Sequence, residues 1–350
     1  MSMSVEDIIR ALPRVELFLQ LEGAYSAQRL LVIAGQNGFL EDPDSLASWQ
    51  EKLKNPDPAS RYELMAETSR WLDYEDDVAL MVYEAGLALA RQNVLYAEIH
   101  VNTLHFTEHR WHFERLLQSL NDGRRRAEIA WKIDIRWVLS IFRDQPRHAD
   151  EAVRIASSKD GQAAGIVGIC LGGPEGAQPA GQFERAFRTA ARKGIPAAVH
   201  SNADADSPGN LREALEQLQP QRLIGGFGVD RDPELMDLMA QNELPLVFSM
   251  SEALALGLVN SFEDYPLKQL TDAGLALVPA CGMPSVLGAT LVGEHLAVVQ
   301  RCGLGLDELQ QLTLNAVAAS WLPDAEKADL ETRVLERTQA VVAAHAEEDG

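Results

Sequence analysis

Short apolar runs rich in Val, Ile and Leu recur along the chain, separated by longer stretches whose apolar positions repeat at helical spacing. The runs are Val15–Leu21, Val94–Val101, Ile133–Phe142, Gly165–Leu171, Ala197–His200, Arg222–Gly226, Leu244–Phe248 and Leu275–Pro279. Alternation of such runs with helical stretches is the pattern of βα units around a parallel sheet. Eight runs is the number that a closed (β/α)8 barrel requires. Between them, Phe183, Ala186, Phe187 and Ala190 mark one apolar helix face that stops at Gly194, and Leu211 to Leu218 predicts a helix that stops at Pro220. A long segment between the first two runs, residues 41–71, is predicted to lie over the barrel mouth as helices. Asp307–Ser320 and Asp324–Ala344, spanning 307–344, are predicted to brace the outside. No repeat, low-complexity tract or linker divides the sequence, so residues 1–350 read as a single α/β TIM-barrel domain with extra helices.

Composition narrows the partners. A hydrophobic content of 46% and a charged content of 24% fit a soluble globular chain with a large core. A net charge of −21 argues against nucleic acid and anionic membranes, which attract positive surfaces. No apolar run is long enough to span a bilayer, and Met1 to Arg10 lacks the apolar core of a signal peptide. Cys170, Cys281 and Cys302 form no CxxC pair and read as reduced thiols, so a cytoplasmic location is expected.

Pro13-Arg14-Val15-Glu16-Leu17-Phe18-Leu19-Gln20-Leu21-Glu22-Gly23 resembles the first barrel strand of the adenosine deaminase family, P-K-V-E-L-H-V-H-L-D-G. Tyr96-Ala97-Glu98-Ile99, Asp272-Ala273-Gly274, Gly288-Ala289-Thr290-Leu291 and Asn315-Ala316-Val317-Ala318-Ala319-Ser320-Trp321-Leu322-Pro323 are similar to further family segments in the same order. The resemblance implies a barrel of the metal-dependent hydrolase type and, in the family, a catalytic zinc. The two zinc-binding histidines of the first strand stand here as Phe18 and Gln20. The family's H-A-G-E reads His200-Ser201-Asn202-Ala203, keeping one ligand and losing the acid; G-H-G reads Gly226-Phe227-Gly228; N-T-D-D-P reads Ala280-Cys281-Gly282-Met283-Pro284; and D-L-A-G-D-E reads Cys170-Leu171-Gly172-Gly173-Pro174-Glu175. Zinc hydrolysis needs three or more protein ligands, and one imidazole falls short.

His200, Glu22 and Cys281 are therefore the candidate catalytic residues. His200 ends strand five, where barrel sites are built, though a core histidine is the plainer alternative. Glu22 replaces the family's substrate-contacting aspartate, or else caps the following helix, Ser26–Gly38. Cys281 is a nucleophile if His200 is near enough to ionise it, and otherwise a small buried hydrophobe. Phe18, Gln20, Gly173, Asn202, Phe227 and Met283 are the candidate ligand-binding residues, with Gly173 matching a family glycine whose backbone amide touches the purine. Gln20 and Asn202 either meet a heterocycle's edge or hydrogen-bond to each other.

His105-Phe106-Thr107-Glu108-His109 spells H-x-x-E-H, and His112 follows one turn later, so a single helix would present three imidazoles on one face. The alternative is a helix with surface histidines, because the motif lies outside its usual structural context. The expectation is a barrel with no metal and no cofactor, a pseudoenzyme binding a purine- or nucleoside-like or other planar heterocycle. The alternatives are an enzyme with zinc-independent chemistry in the same pocket, and a metallohydrolase or deaminase with unfamiliar ligands.

Overall fold

The computed structural model describes residues 4–107, 111–202 and 209–348. Eight strands form one parallel sheet in sequence order: β1 (Arg14–Gln20), β2 (Val94–Val101), β3 (Asp134–Phe142), β4 (Ile166–Gly172), β5 (Ala197–Ser201), β6 (Arg222–Gly225), β7 (Leu246–Phe248) and β8 (Leu277–Pro279). Each of the eight expected runs overlaps one of these strands, with β1, β4 and β5 extending one residue beyond theirs. The last two are the shortest, at three residues each.

Closure comes from just beyond β8. Leu19 bridges Gly282 in parallel, the Gln20 N–H donates to the Gly282 carbonyl at 2.9 Å, and the Gly282 N–H returns to the Phe18 carbonyl at 2.9 Å. Gly282 has φ +61°, a left-handed backbone that glycine adopts without Cβ strain. β1 shifts register between Glu16 and Leu19. The buried Glu16 carboxylate occupies that irregularity, accepting the Phe18 N–H at 2.8 Å and the Cys281 N–H at 3.0 Å.

The bottom of the barrel is filled by charge. Arg222 donates to Glu98 at 2.7 Å, and both side chains are fully buried. Glu98 also accepts the Tyr96 hydroxyl at 3.0 Å and the Trp321 N–H at 2.7 Å, while the Arg222 guanidinium lies 4.0 Å from the Trp321 ring centroid. The Ser320-Trp321 segment thus seals this end, and pairing with satisfied hydrogen bonds is what makes such burial tolerable. Over the opposite end, helix Arg61–Ser69 brings Tyr62 edge-on to Phe142, the last residue of β3, at 5.3 Å between ring centroids. Among the described residues no helix is long and apolar enough to cross a membrane.

Candidate active site

Side chains alternate along β1, so Phe18 and Gln20 turn to the same side. The Phe18 ring lies between two imidazoles, 4.9 Å from His100 and 4.9 Å from His200, edge-on to both. Burial, then the charge of Arg222, pushes His100 down to about 3, so its ring stays neutral, with Nε2 3.2 Å from the Leu17 carbonyl.

His200 stands near the end of β5, and its Nε2 lies 3.2 Å from Oε1 of Glu252. The two are 6% and 3% exposed, and the facing Nε2 and Oε1 atoms are themselves buried, close to each other without meeting hydrogen-bond geometry. Burial alone raises the Glu252 carboxyl, but the charge of the adjacent His200, with Arg61 beyond it, outweighs this and holds it below the usual carboxylate range. The turn carrying Glu252 is itself fixed. Ser249 caps helix Met250–Ala255 by accepting the Glu252 N–H at 3.1 Å. Buried Glu294 gathers the same turn, accepting from Ser249 Oγ, the Met250 N–H and the Ser251 N–H at 3.2, 2.8 and 3.0 Å.

A second carboxylate–imidazole pair lies beside β1 and β2. Glu22 is buried, accepts the Gln20 amide at 2.5 Å and the Asn102 N–H at 2.7 Å, and has His105 Nδ1 at 3.5 Å. Capping the next helix falls instead to Ser26, which accepts the Arg29 N–H. Gln20 and Asn202 do not bond to each other. Gln20 accepts the Ser140 hydroxyl at 3.0 Å, while Asn202 accepts the Phe227 N–H at 3.0 Å and donates its own N–H to Glu175 at 2.8 Å. Gly173 has φ +80°, and a Cβ there would sit 2.8 Å from Phe142 Cβ, so the chain's close pass needs glycine.

Three features read from the sequence have surroundings that differ from those expected. Cys281 meets Glu16 and lines a cavity of about 540 Å³ shared with Tyr25, Arg29 and Glu84. Burial and then the Glu16 charge push its thiol well above the ordinary range, a setting that disfavours the thiolate. Phe227 packs in an outer cluster with Leu223, Val229 and Leu235, apart from the cluster holding Phe18 and Met283. His105 and His112 do not share a helix face, since buried His105 is in the short helix Leu104–Thr107 and exposed His112 flanks the next, Phe113–Trp131. Glu108, His109 and Ala203 lie outside the described residues.

Glu252 is the functional candidate that sequence reading missed. Its signal was an acid four residues past a predicted strand, at the barrel end where such sites sit. Among the described residues no group of three or more His, Cys, Asp or Glu side chains is placed to hold a metal ion. The zinc implied by the resemblance does not fit this donor set: Phe18 brings a ring where the family has an imidazole, and Gln20 is engaged by Glu22 and Ser140.

A family model described as adenosine deaminase matches residues 13–337. An aminodeoxyfutalosine deaminase of Streptomyces avermitilis is 28% identical over 97% of this chain and 95% of its own. An adenine deaminase of Rhodospirillum rubrum is 27% identical over 93% of this chain and 97% of its own. The solved structure of Arabidopsis ADAL complexed with IMP superposes with a TM-score of 0.84 at 20% identity, covering 95% of this chain and 98% of that one, a likeness of fold. Relatives aligned over nearly their whole length are named as deaminases, and this overturns the expectation of a metal-independent pseudoenzyme: it points to an active enzyme. The chain belongs to the adenosine deaminase family.

Proposed function

We propose that this protein is a hydrolytic deaminase of an amino-substituted purine or purine-like ring, with His200 and Glu252 as its proton-handling pair. The observation that carries the reading is the 3.2 Å approach of these two side chains at the C-terminal end of the barrel. Relatives named for deamination of adenine and of aminodeoxyfutalosine support the substrate class.

The reaction replaces a C–NH2 group by a carbonyl: water adds to the amine-bearing carbon, the C–N bond breaks, and ammonia leaves. His200 takes the proton from the attacking water and returns it to the departing nitrogen. Glu252 holds the imidazole in place and stabilises it while it is charged, as a carboxylate does for a catalytic histidine. Phe18 excludes water from beneath the pair. Glu22, held by Gln20 and Asn102, presents a second carboxylate to the ring, and the Gly173 backbone amide meets its edge. The small-molecule ligand is thus purine-like, and the three free cysteines accord with a reducing, cytoplasmic setting.

The test is turnover. Adenine, adenosine and AMP are incubated with wild-type protein and with Glu252→Gln, and ammonia and the keto product are quantified by mass spectrometry. Release by the wild type and loss in the folded variant are expected. No release from any aminopurine tested contradicts the reading.

A further inference from the structure

The first N–H groups of a helix have no partners within it, so a buried helix start must find acceptors elsewhere. In helix Met250–Ala255, Ser249 Oγ takes the Glu252 N–H at 3.1 Å. The two N–H groups before it go to Glu294: Oε2 takes Met250 at 2.8 Å, and Oε1 takes Ser251 at 3.0 Å together with the Ser249 hydroxyl at 3.2 Å. Glu294 comes from a separate element, helix Leu291–Gln300, whose own start is capped by Thr290 Oγ accepting the Gly293 N–H at 3.0 Å.

Glu294 is fully buried, and donors to both oxygens are what make a dry carboxylate tolerable. What this carboxylate adds over an apolar side chain is a fixed place for one turn of chain. That turn ends in Glu252, whose Oε1 lies 3.2 Å from His200 Nε2. Neither of those two atoms has a hydrogen-bond partner, so the pair does not lock itself in place. The position of Glu252 comes from the backbone that Glu294 and Ser249 hold.

We propose that Glu294 is a positioning residue for the deamination: without touching substrate it places Glu252, and through Glu252 it sets how well His200 moves a proton. This rests on the His200–Glu252 reading above. Misplacing such a group by about 1 Å costs ~10² in rate, so a remote carboxylate has leverage over the chemistry.

The experiment measures kcat and KM on an aminopurine for wild type, Glu294→Gln, Glu294→Asp and Ser249→Ala, each also combined with Glu252→Gln, per folded protein. Glutamine keeps the shape of Glu294 but turns one of its two acceptor oxygens into a donor. In Glu294→Gln kcat should fall by ~10² while KM stays within about twofold. Aspartate, which keeps both oxygens on a shorter arm, should recover part of the loss, and Ser249→Ala should lower kcat in the same direction. In the Glu252→Gln background none of the three should lower kcat further, because their effect runs through the missing carboxylate. An unchanged kcat in folded Glu294→Gln, or losses that add to that of Glu252→Gln, overturns the proposal. If Glu294→Gln does not fold, Ser249→Ala carries the same comparison. Crystal structures of wild type and Ser249→Ala separate this from the functional reading. If wild type releases no ammonia from any aminopurine, the deaminase reading fails; a Glu252 carboxylate displaced from His200 in the variant then still supports the placement, and an unmoved one overturns both.

Discussion

His200 Nε2 and Glu252 Oε1 face each other at 3.2 Å, joining β5 to the turn after β7. Neither residue is close to the other in sequence, and both are held from behind. His200 has the Phe18 ring against it, and the Glu252 turn is gathered by Glu294. A carboxylate that gains a partner in the fold has its charged form stabilised, in keeping with the lowered Glu252 carboxyl.

If the pair acts as one unit, Glu252→Gln and His200→Asn should each lower kcat by ~10²–10⁴, the range for a positioned acid–base group. The double variant should lose little more than the worse single one, because members of a unit are not additive. Steady-state kinetics on all three variants checks this. Losses that multiply would show that the two residues act separately.

Glu16 gives a pH prediction. Burial raises its carboxyl to about 7 despite its hydrogen bonds to Cys281 and Phe18. Between the unfolded value and about 7 the folded state holds a proton that the unfolded state has released, so stability falls as pH rises through this window and levels off above it. Glu16→Gln should flatten that slope. Chemical denaturation at pH 5 and pH 8 should show the wild type losing on the order of 2–3 kcal/mol more than the variant between them. Parallel pH profiles would mean that Glu16 is ionised in the fold.

At the barrel bottom, Glu98→Ala should cost about 3–5 kcal/mol, since it strands the buried Arg222 charge. It also removes the acceptor of the Tyr96 hydroxyl and the Trp321 N–H. Urea denaturation measures the loss. A cost below ~1 kcal/mol would mean that water reaches Arg222.

Cysteine chemistry offers a fourth check. Cys281 and Cys170 are both buried, with burial raising Cys170 to about 12 and Cys281 well above its ordinary value, whereas Cys302 is only half-buried. Iodoacetamide should label Cys302 before either of the others in native protein, and Cys281→Ser should leave turnover within about twofold. Rapid labelling of Cys281 with loss of activity would restore the thiol to the mechanism.

The barrel was legible in the sequence because strand-length apolar runs carry their own signal, and the family segments fixed their order. The position of His200 at a strand end was legible, and so was the close pass of the chain at Gly173. Glu252 was not, since the S-x-x-E spacing of Ser249-Met250-Ser251-Glu252 announces a helix start and not a site, and its partner lies 52 positions away in the chain. The surroundings of Cys281 were hidden for the same reason. Strand position said that the thiol lay at the right end of the barrel, but only the closure through Gly282 and the Glu16 contact shows which way that segment turns. Counting lost family residues likewise led to a non-catalytic reading, which the deaminase names of relatives aligned over nearly their whole length overturn.

The most direct measurement is oxygen transfer from labelled water. Wild-type protein is incubated with an aminopurine substrate in H2(18)O, and the product is examined by mass spectrometry alongside ammonia release. The account predicts one labelled oxygen in the keto product for each ammonia released, with both signals falling together in His200→Asn and Glu252→Gln. Ammonia release without solvent oxygen in the product, or undiminished labelling in folded variants lacking either side chain, would contradict it.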